Sequence, residues 1–169
     1  TPMNTLLPGM DAAPAQVAKS FLRTKKPQTM GNHAADNFQT DPWCLEALYP
    51  YLPPSWHIWE PACGVGQLVE GMRATGREVI GSDILTGYDF LSHRPEHFDC
   101  SVTNPPFSIK DRWLARCYEL EKPFALLLPL TTLEGQKRQA MFRRYGVEVV
   151  ILPKRVVFTT PGGKTGGSW

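Results

Sequence analysis

The sequence predicts an α/β fold: a doubly wound, mostly parallel sheet with helices on both faces. Three observations carry this expectation. Residues 57–83 run as strand, small-residue loop, helix and second strand with an acid at its end, which is one half of a doubly wound nucleotide-binding sheet. Residues 123–129 and 147–152 are nearly continuous apolar runs, as expected of parallel strands buried on both faces. The short apolar run 98–103 stops at Asn104, Pro105, Pro106 and Phe107, where two prolines withdraw the amides that a ladder needs.

Taken in order, residues 1–36 carry Pro, Gly, Met and Lys without sustained periodicity. They read as a partly ordered N-terminal arm with a short helix over 15–23. One domain accounts for residues 37–169. Asp41 followed by Pro42 marks a helix start, with Trp43, Ala47 and Leu48 forming an apolar face before Pro50. Residues 57–60 form the first strand and 61–66 a small-residue loop. The helix 67–75 turns Leu68, Val69 and Met72 inward, and Gly76 closes it in the left-handed conformation. Residues 78–83 form the second strand, 85–97 are turn-like, and 98–103 form the third. The helix 110–120 buries Trp113, Leu114, Cys117 and Tyr118. The strand 123–129 precedes a helix over 133–145 that turns Lys137, Arg138, Arg143 and Arg144 largely outward and ends at Gly146. Residues 147–152 are expected to be a further buried strand. Residues 156–158 are expected to begin a terminal hairpin whose return strand is missing, so that a longer chain or a second copy completes that edge.

Composition bounds the function. With 169 residues, 42% hydrophobic and 20% charged, the chain suits one globular domain. It has no apolar run of membrane-spanning length and no signal-peptide pattern, so no membrane association and a cytoplasmic location are expected. Cys44, Cys63, Cys100 and Cys117 lack metal or disulfide spacing. His93 and His97 are interrupted by Pro95, with no third ligand evident, and no metal site is expected. The net charge of +2 conceals a segregation: residues 36–104 carry −7 and residues 105–169 carry +6. A basic C-terminal third can meet a polyanion such as nucleic acid, although solvated helix faces look the same.

Three positions stand out chemically. Asn104 is pushed toward extended backbone by the proline after it, so its amide and the Pro105 carbonyl can accept hydrogen bonds from an amino group while Phe107 stacks on a flat ring. The bland reading is an ordinary strand-ending turn. The loop Gly64-Val65-Gly66 lacks the third glycine of the dinucleotide fingerprint, and Glu60 at its start would repel phosphates but favour a cationic amino group. Asp83 ends the second strand where an acid can accept from two ribose hydroxyls. Ribose, adenine and ammonium together describe S-adenosylmethionine. Singly, Glu60 and Asp83 are ordinary strand-end acids. Trp43, Trp56, Trp59 and Trp113 read as core or interface, and Gly163-Lys164-Thr165 is no phosphate loop because position 158 is Phe.

The stretch Glu60-Pro-Ala-Cys-Gly-Val-Gly66, then Asp83, then Asn104-Pro-Pro-Phe107 resembles class I S-adenosylmethionine-dependent methyltransferases of the amino-methylating kind, most of all small phage-type DNA adenine-N6 methyltransferases. The resemblance spans residues 37–169 and implies a Rossmann-like fold in which the strands carrying Glu60 and Asn104 are neighbours. It implies that Glu60, Pro61, Ala62, Cys63, Gly64 and Gly66 line the methionine portion of the cofactor. Asp83 would take its ribose, Ile84 would pack on its adenine, and Asp89 with Phe90 would meet the adenine amino group. Phe38, Thr40 and Pro42 resemble a segment that folds over the cofactor, here with Asp41 inserted. Asn104 and Pro105, with Pro106 and Phe107, would hold the target amino group for in-line methyl transfer. Phe107, Lys110, Phe158 and Pro161 would border the base, which leaves a duplex only by flipping at a cost of a few kcal/mol. The implied partner is nucleic acid, DNA ahead of RNA, in a host cytoplasm if phage-encoded. RNA adenine-N6 or guanine-N2 methylation fits the same motif. Protein-glutamine methylation fits less well, since that group generally has Tyr where Phe107 stands. A non-catalytic nucleic-acid-binding protein on this fold is the alternative of a different class.

Overall fold

A computed structural model describes residues 39–159 and the strand at 165–166. The expectations for the arm 1–36 and for Phe38 and Pro161 lie outside the described residues.

The core is a four-stranded parallel sheet of β1 (Ile58–Glu60), β2 (Val79–Gly81), β3 (Cys100–Thr103) and β4 (Phe124–Leu126), in the order β2-β1-β3-β4. From β1 the chain passes through α1 (Gln67–Arg73) to β2 on one side. It then returns to the other side of β1 as β3, in register Ile58 to Cys100 and Trp59 to Ser101. After α2 (Lys110–Glu119) it adds β4 outside β3, and α3 (Gln136–Tyr145) follows. Strand order therefore reverses between β1 and β3. That is where open α/β sheets offer a crevice beyond their carboxyl ends.

Alternation along β1 splits the core. Ile58 joins Leu45, Leu68, Val69, Met72, Val79 and Val102, beneath α1 and the single 3-10 turn Pro42–Leu45. Trp59, with no accessible surface, faces the opposite way among Phe90, Phe98, Trp113 and Cys117 of the α2 side. Its indole Nε1 donates to Ser82 Oγ at 2.8 Å, which satisfies the one polar atom that this burial brings in. Helices thus lie on both faces. Asp41 caps the turn at 42–45 as expected, accepting from Trp43 N at 3.2 Å, but the turn is 3-10 and only one turn long. Gly76 and Gly146 follow α1 and α3 at φ 82° and 85°, where glycine costs least.

The structure differs from expectation at the C-terminal side of the sheet. Residues 147–152 form no strand: Val147, Val149, Val150 and Ile151 are 42–85% exposed. β-Propensity needs a partner ladder to act on. The edge they would join, β4, is unpaired on its outer side among the described residues, and residues 147–152 face it across a cavity instead of closing on it. β4 is itself only half-buried. The terminal hairpin is present, with β5 (Phe158–Thr159) pairing antiparallel with β6 (Thr165–Gly166), so its return strand lies within the chain. The helix 136–145 does not turn all its cations to solvent. Arg138 donates to Thr132 O and Asp111 Oδ1 at 2.7 and 2.8 Å.

Gly71 shows how tightly α1 sits on the capped turn: a Cβ there would stand 2.6 Å from Pro42 Cβ. Gly71→Ala is expected to destabilise the chain by about 1–3 kcal/mol through overpacking, read as a lower urea midpoint. An unchanged midpoint would mean that the turn and α1 do not pack as described.

Candidate functional site

Five segments converge beyond the carboxyl ends of β1 and β3. β1 ends in Glu60, which has no accessible surface. The tight turn after it is set by Gly66 N donating to Cys63 O at 2.7 Å, and Gly64 and Gly66 take φ 51° and 92°. Neither position suits a side-chain-bearing residue, and at Gly64 a Cβ would also stand 3.2 Å from Gln39 Nε2. Gly66 caps α1. Asp83, 8% exposed, follows β2 and accepts from Gly64 N through Oδ2 and from Leu85 N through Oδ1, each at 2.9 Å. It therefore fastens the glycine loop to the end of β2. A carboxylate has about four lone-pair sites, so both oxygens retain acceptor capacity.

β3 ends in Thr103 and passes into Asn104, whose Nδ2 donates to the buried hydroxyl of Thr40 at 2.7 Å. The segment carrying Thr40 is held by Gln39 N, which donates to Thr159 O at 2.7 Å. That pairing brings β5 alongside, and Phe158 stands edge-on to Phe107 with ring centroids 6.0 Å apart.

The electrostatics of the group are unusual. Glu60 Oε1 accepts from Ala62 N at 3.0 Å. Its Oε2, the Thr103 hydroxyl and Asn104 Oδ1 are all buried with no hydrogen-bond partner. Burial pushes the Glu60 carboxyl up to about 8; the Thr103 hydroxyl and the Ala62 amide, both donors toward it, oppose the shift, while Asp83 adds to it. Orphaned buried polar atoms are scarce in folded chains. Here they stand at the ends of two adjacent strands: Glu60 and Thr103 are the last residues of β1 and β3, and Asn104 follows Thr103; Asn104 Oδ1 is an acceptor only, while the Thr103 hydroxyl can also donate. Burial also pushes the Cys63 thiol up, with Asp83 and Glu60 adding to the effect, so this sulfur is a neutral thiol rather than a nucleophilic thiolate.

Of the residues singled out from sequence, Thr40, Glu60, Pro61, Ala62, Cys63, Gly64, Gly66, Asp83, Asn104, Pro105, Pro106, Phe107 and Phe158 belong to these converging segments. Ile84 follows Asp83 and is 48% exposed at the loop surface. Lys110 begins α2, its Nζ 3.3 Å from Phe107 O. Asp89 turns its Oδ1 to Leu91 N, and Phe90 goes into the core, stacked on Trp113 at 4.1 Å. A cavity of about 1190 Å³ runs along β4 and reaches Thr40, Thr103, Phe107 and Phe158, but not Glu60, Gly64 or Asp83. Gln39 is the site residue that sequence reading missed; being polar yet only 8% exposed, it lies over Gly64. His97 pairs not with His93 but with His57 and Asp99, at the opposite end of the sheet.

The fold and site define an α/β chain with unpartnered buried oxygens where strand order reverses. Comparison with protein-family models, with curated proteins and with solved structures returns no match. Among the described residues, no helix is long and apolar enough to cross a membrane.

The Glu60 carboxyl sets a pH dependence. Unfolded, it loses its proton near its ordinary value of 4.5; folded, it keeps it to about 8. Between those values the folded state binds more protons, so this group costs stability progressively as pH rises through that window. Glu60→Gln is expected to flatten that slope and to be the more stable chain at pH 9, by an amount on the order of a few kcal/mol. Urea unfolding at pH 5, 7 and 9 measures it, and parallel profiles for the two chains would contradict the assignment.

Proposed function

We propose that the chain is an S-adenosylmethionine-dependent methyltransferase acting on an exocyclic amino group, with adenine N6 in DNA as the target. The observation that carries this reading is the pair of buried acceptor oxygens without a completed hydrogen bond, Glu60 Oε2 and Asn104 Oδ1, at the reversal of strand order. Bound S-adenosylmethionine would supply an electrophilic methyl group on a sulfonium. Its ammonium matches the unpartnered oxygen of Glu60, and a cation beside that carboxyl favours the ionised form. Gly64 and Gly66 keep the loop free of side chains where the cofactor's tail would lie, and Asp83 retains acceptor capacity for a ribose.

The chain's own task is positioning. Thr40 accepts the Asn104 Nδ2 proton, which leaves Oδ1 as the amide atom offered to an incoming amine. An N–H donated to Oδ1 and to the Pro105 carbonyl orients the amine nitrogen, and Phe107 supplies a stacking face. Holding two reactants in line can be worth roughly 7–11 kcal/mol. DNA rather than a small amine is favoured by the charge of +6 on residues 105–169 and by the cavity reaching Phe107 and Phe158.

The test is transfer of labelled methyl from cofactor to DNA, RNA and protein pools, followed by nucleoside analysis. Label in N6-methyladenine of DNA is expected; label confined to RNA or protein would overturn the substrate. Asn104→Ala is expected to lower transfer by about 10²–10³-fold, the usual cost of removing one positioned polar group, with cofactor affinity nearly intact by calorimetry. Loss of cofactor binding in that variant would show the division between the two strand ends to be wrong.

A further inference from the structure

At the amino-terminal ends of β1 and β3, opposite the crevice, His57, His97 and Asp99 each bring one ligand atom within 4.8 Å of the others. His57 Nδ1 lies 3.2 Å from Asp99 Oδ2, and its Nε2 lies 2.8 Å from Glu78 Oε2. A neutral imidazole has one N–H and so can donate to only one of these carboxylates. The other contact then sets a ring lone pair against a carboxylate oxygen, which repels unless a cation lies there.

With the ring proton at Nε2 and Glu78 accepting it, Nδ1 presents its lone pair toward Asp99; a carboxylate on the far nitrogen is the usual support of a metal-bound histidine. His57 N donates to Asp99 Oδ2 at 2.8 Å, fixing the carboxylate beside the ring. His97 then brings a second imidazole to the same point, edge-on to His57 with centroids 4.9 Å apart and planes at 70°. His97 is exposed, so a rotamer change can close the ligands to the roughly 3.3–3.5 Å separations that zinc bonds of 2.0–2.1 Å impose. Two imidazoles and a carboxylate suit borderline divalent ions such as zinc rather than calcium or magnesium.

We propose that His57, His97 and Asp99 form a three-ligand site for a divalent transition-metal ion, zinc by its ligand chemistry, with Glu78 orienting His57 and water completing the shell. The ion sits between Nδ1 and Asp99 and fastens β1 to β3 at the end away from the crevice. It is a structural staple, and it does not depend on the proposed methyl transfer.

The test uses the full chain, stripped with chelator and titrated with zinc by calorimetry and with cobalt by visible absorption. One equivalent bound at micromolar affinity or tighter, with the absorption bands of four-coordinate cobalt, is expected. His97→Ala, at an exposed position that leaves the fold intact, is expected to weaken binding at least tenfold and to abolish those bands. His93→Ala, whose ring lies against Tyr88 and Trp59 instead, is expected to bind as the parent does. Zinc is expected to raise the melting temperature of the parent chain but not of His97→Ala. Absence of uptake by the parent, as when His57 merely carries a second proton between the two carboxylates, would overturn the proposal. So would equal affinity in His97→Ala.

Discussion

Glu60 ends the central strand with no accessible surface, one oxygen held by the Ala62 amide and the other facing no partner. Ionised and alone, such a group is expensive, since a buried charge is tolerated only when paired and hydrogen-bonded. The folded chain has two ways to relieve it. One is to retain a proton, which the upward shift to about 8 expresses; the other is to accept a cationic donor from outside. The second couples ligand binding to loss of that proton. The carboxyl's position is imposed by the sheet, because Glu60 ends β1 and β1 lies between β2 and β3.

The remainder of the crevice is arranged around that position. Asp83 fastens the glycine loop to the end of β2. On the other side, the pairing of Gln39 with Thr159 carries Thr40 to Asn104 and Phe158 to Phe107. The amide of Asn104 therefore has its orientation set by a hydroxyl 64 residues away. Sheet topology supplies the acceptors, and the clasp of two distant segments gives the amide its direction.

This division explains what could be read from the sequence. The loop at 60–66, the acid at 83 and the motif at 104–107 are local patterns, and each carries its own backbone requirement: glycine where φ is positive, proline where a ladder must stop. The adjacency of β1 and β3 followed from the expected doubly wound order. Gln39 was not legible, because nothing in a lone glutamine predicts that a bridge to Thr159 will lay it over Gly64. Nor was the His57, His97 and Asp99 group, whose members meet only when β1 and β3 pair, with His57 and Asp99 42 residues apart. Residues 147–152 misled for the opposite reason. Their composition is that of a strand, but a strand exists only against a partner, and these residues stand across a cavity from β4 instead of pairing with it. Phe90 shows the same limit: nothing local distinguishes a ring beside a ligand from one stacked on Trp113.

The central claim is that the unpartnered oxygen of Glu60 receives the ammonium of an adenosyl amino acid. Calorimetry above pH 8 with S-adenosylhomocysteine and with its analogue lacking the α-amino group tests it directly. The account predicts at least a tenfold weaker dissociation constant for the deaminated ligand, and no such difference in Glu60→Gln. Equal affinity of the parent chain for the two ligands would contradict it.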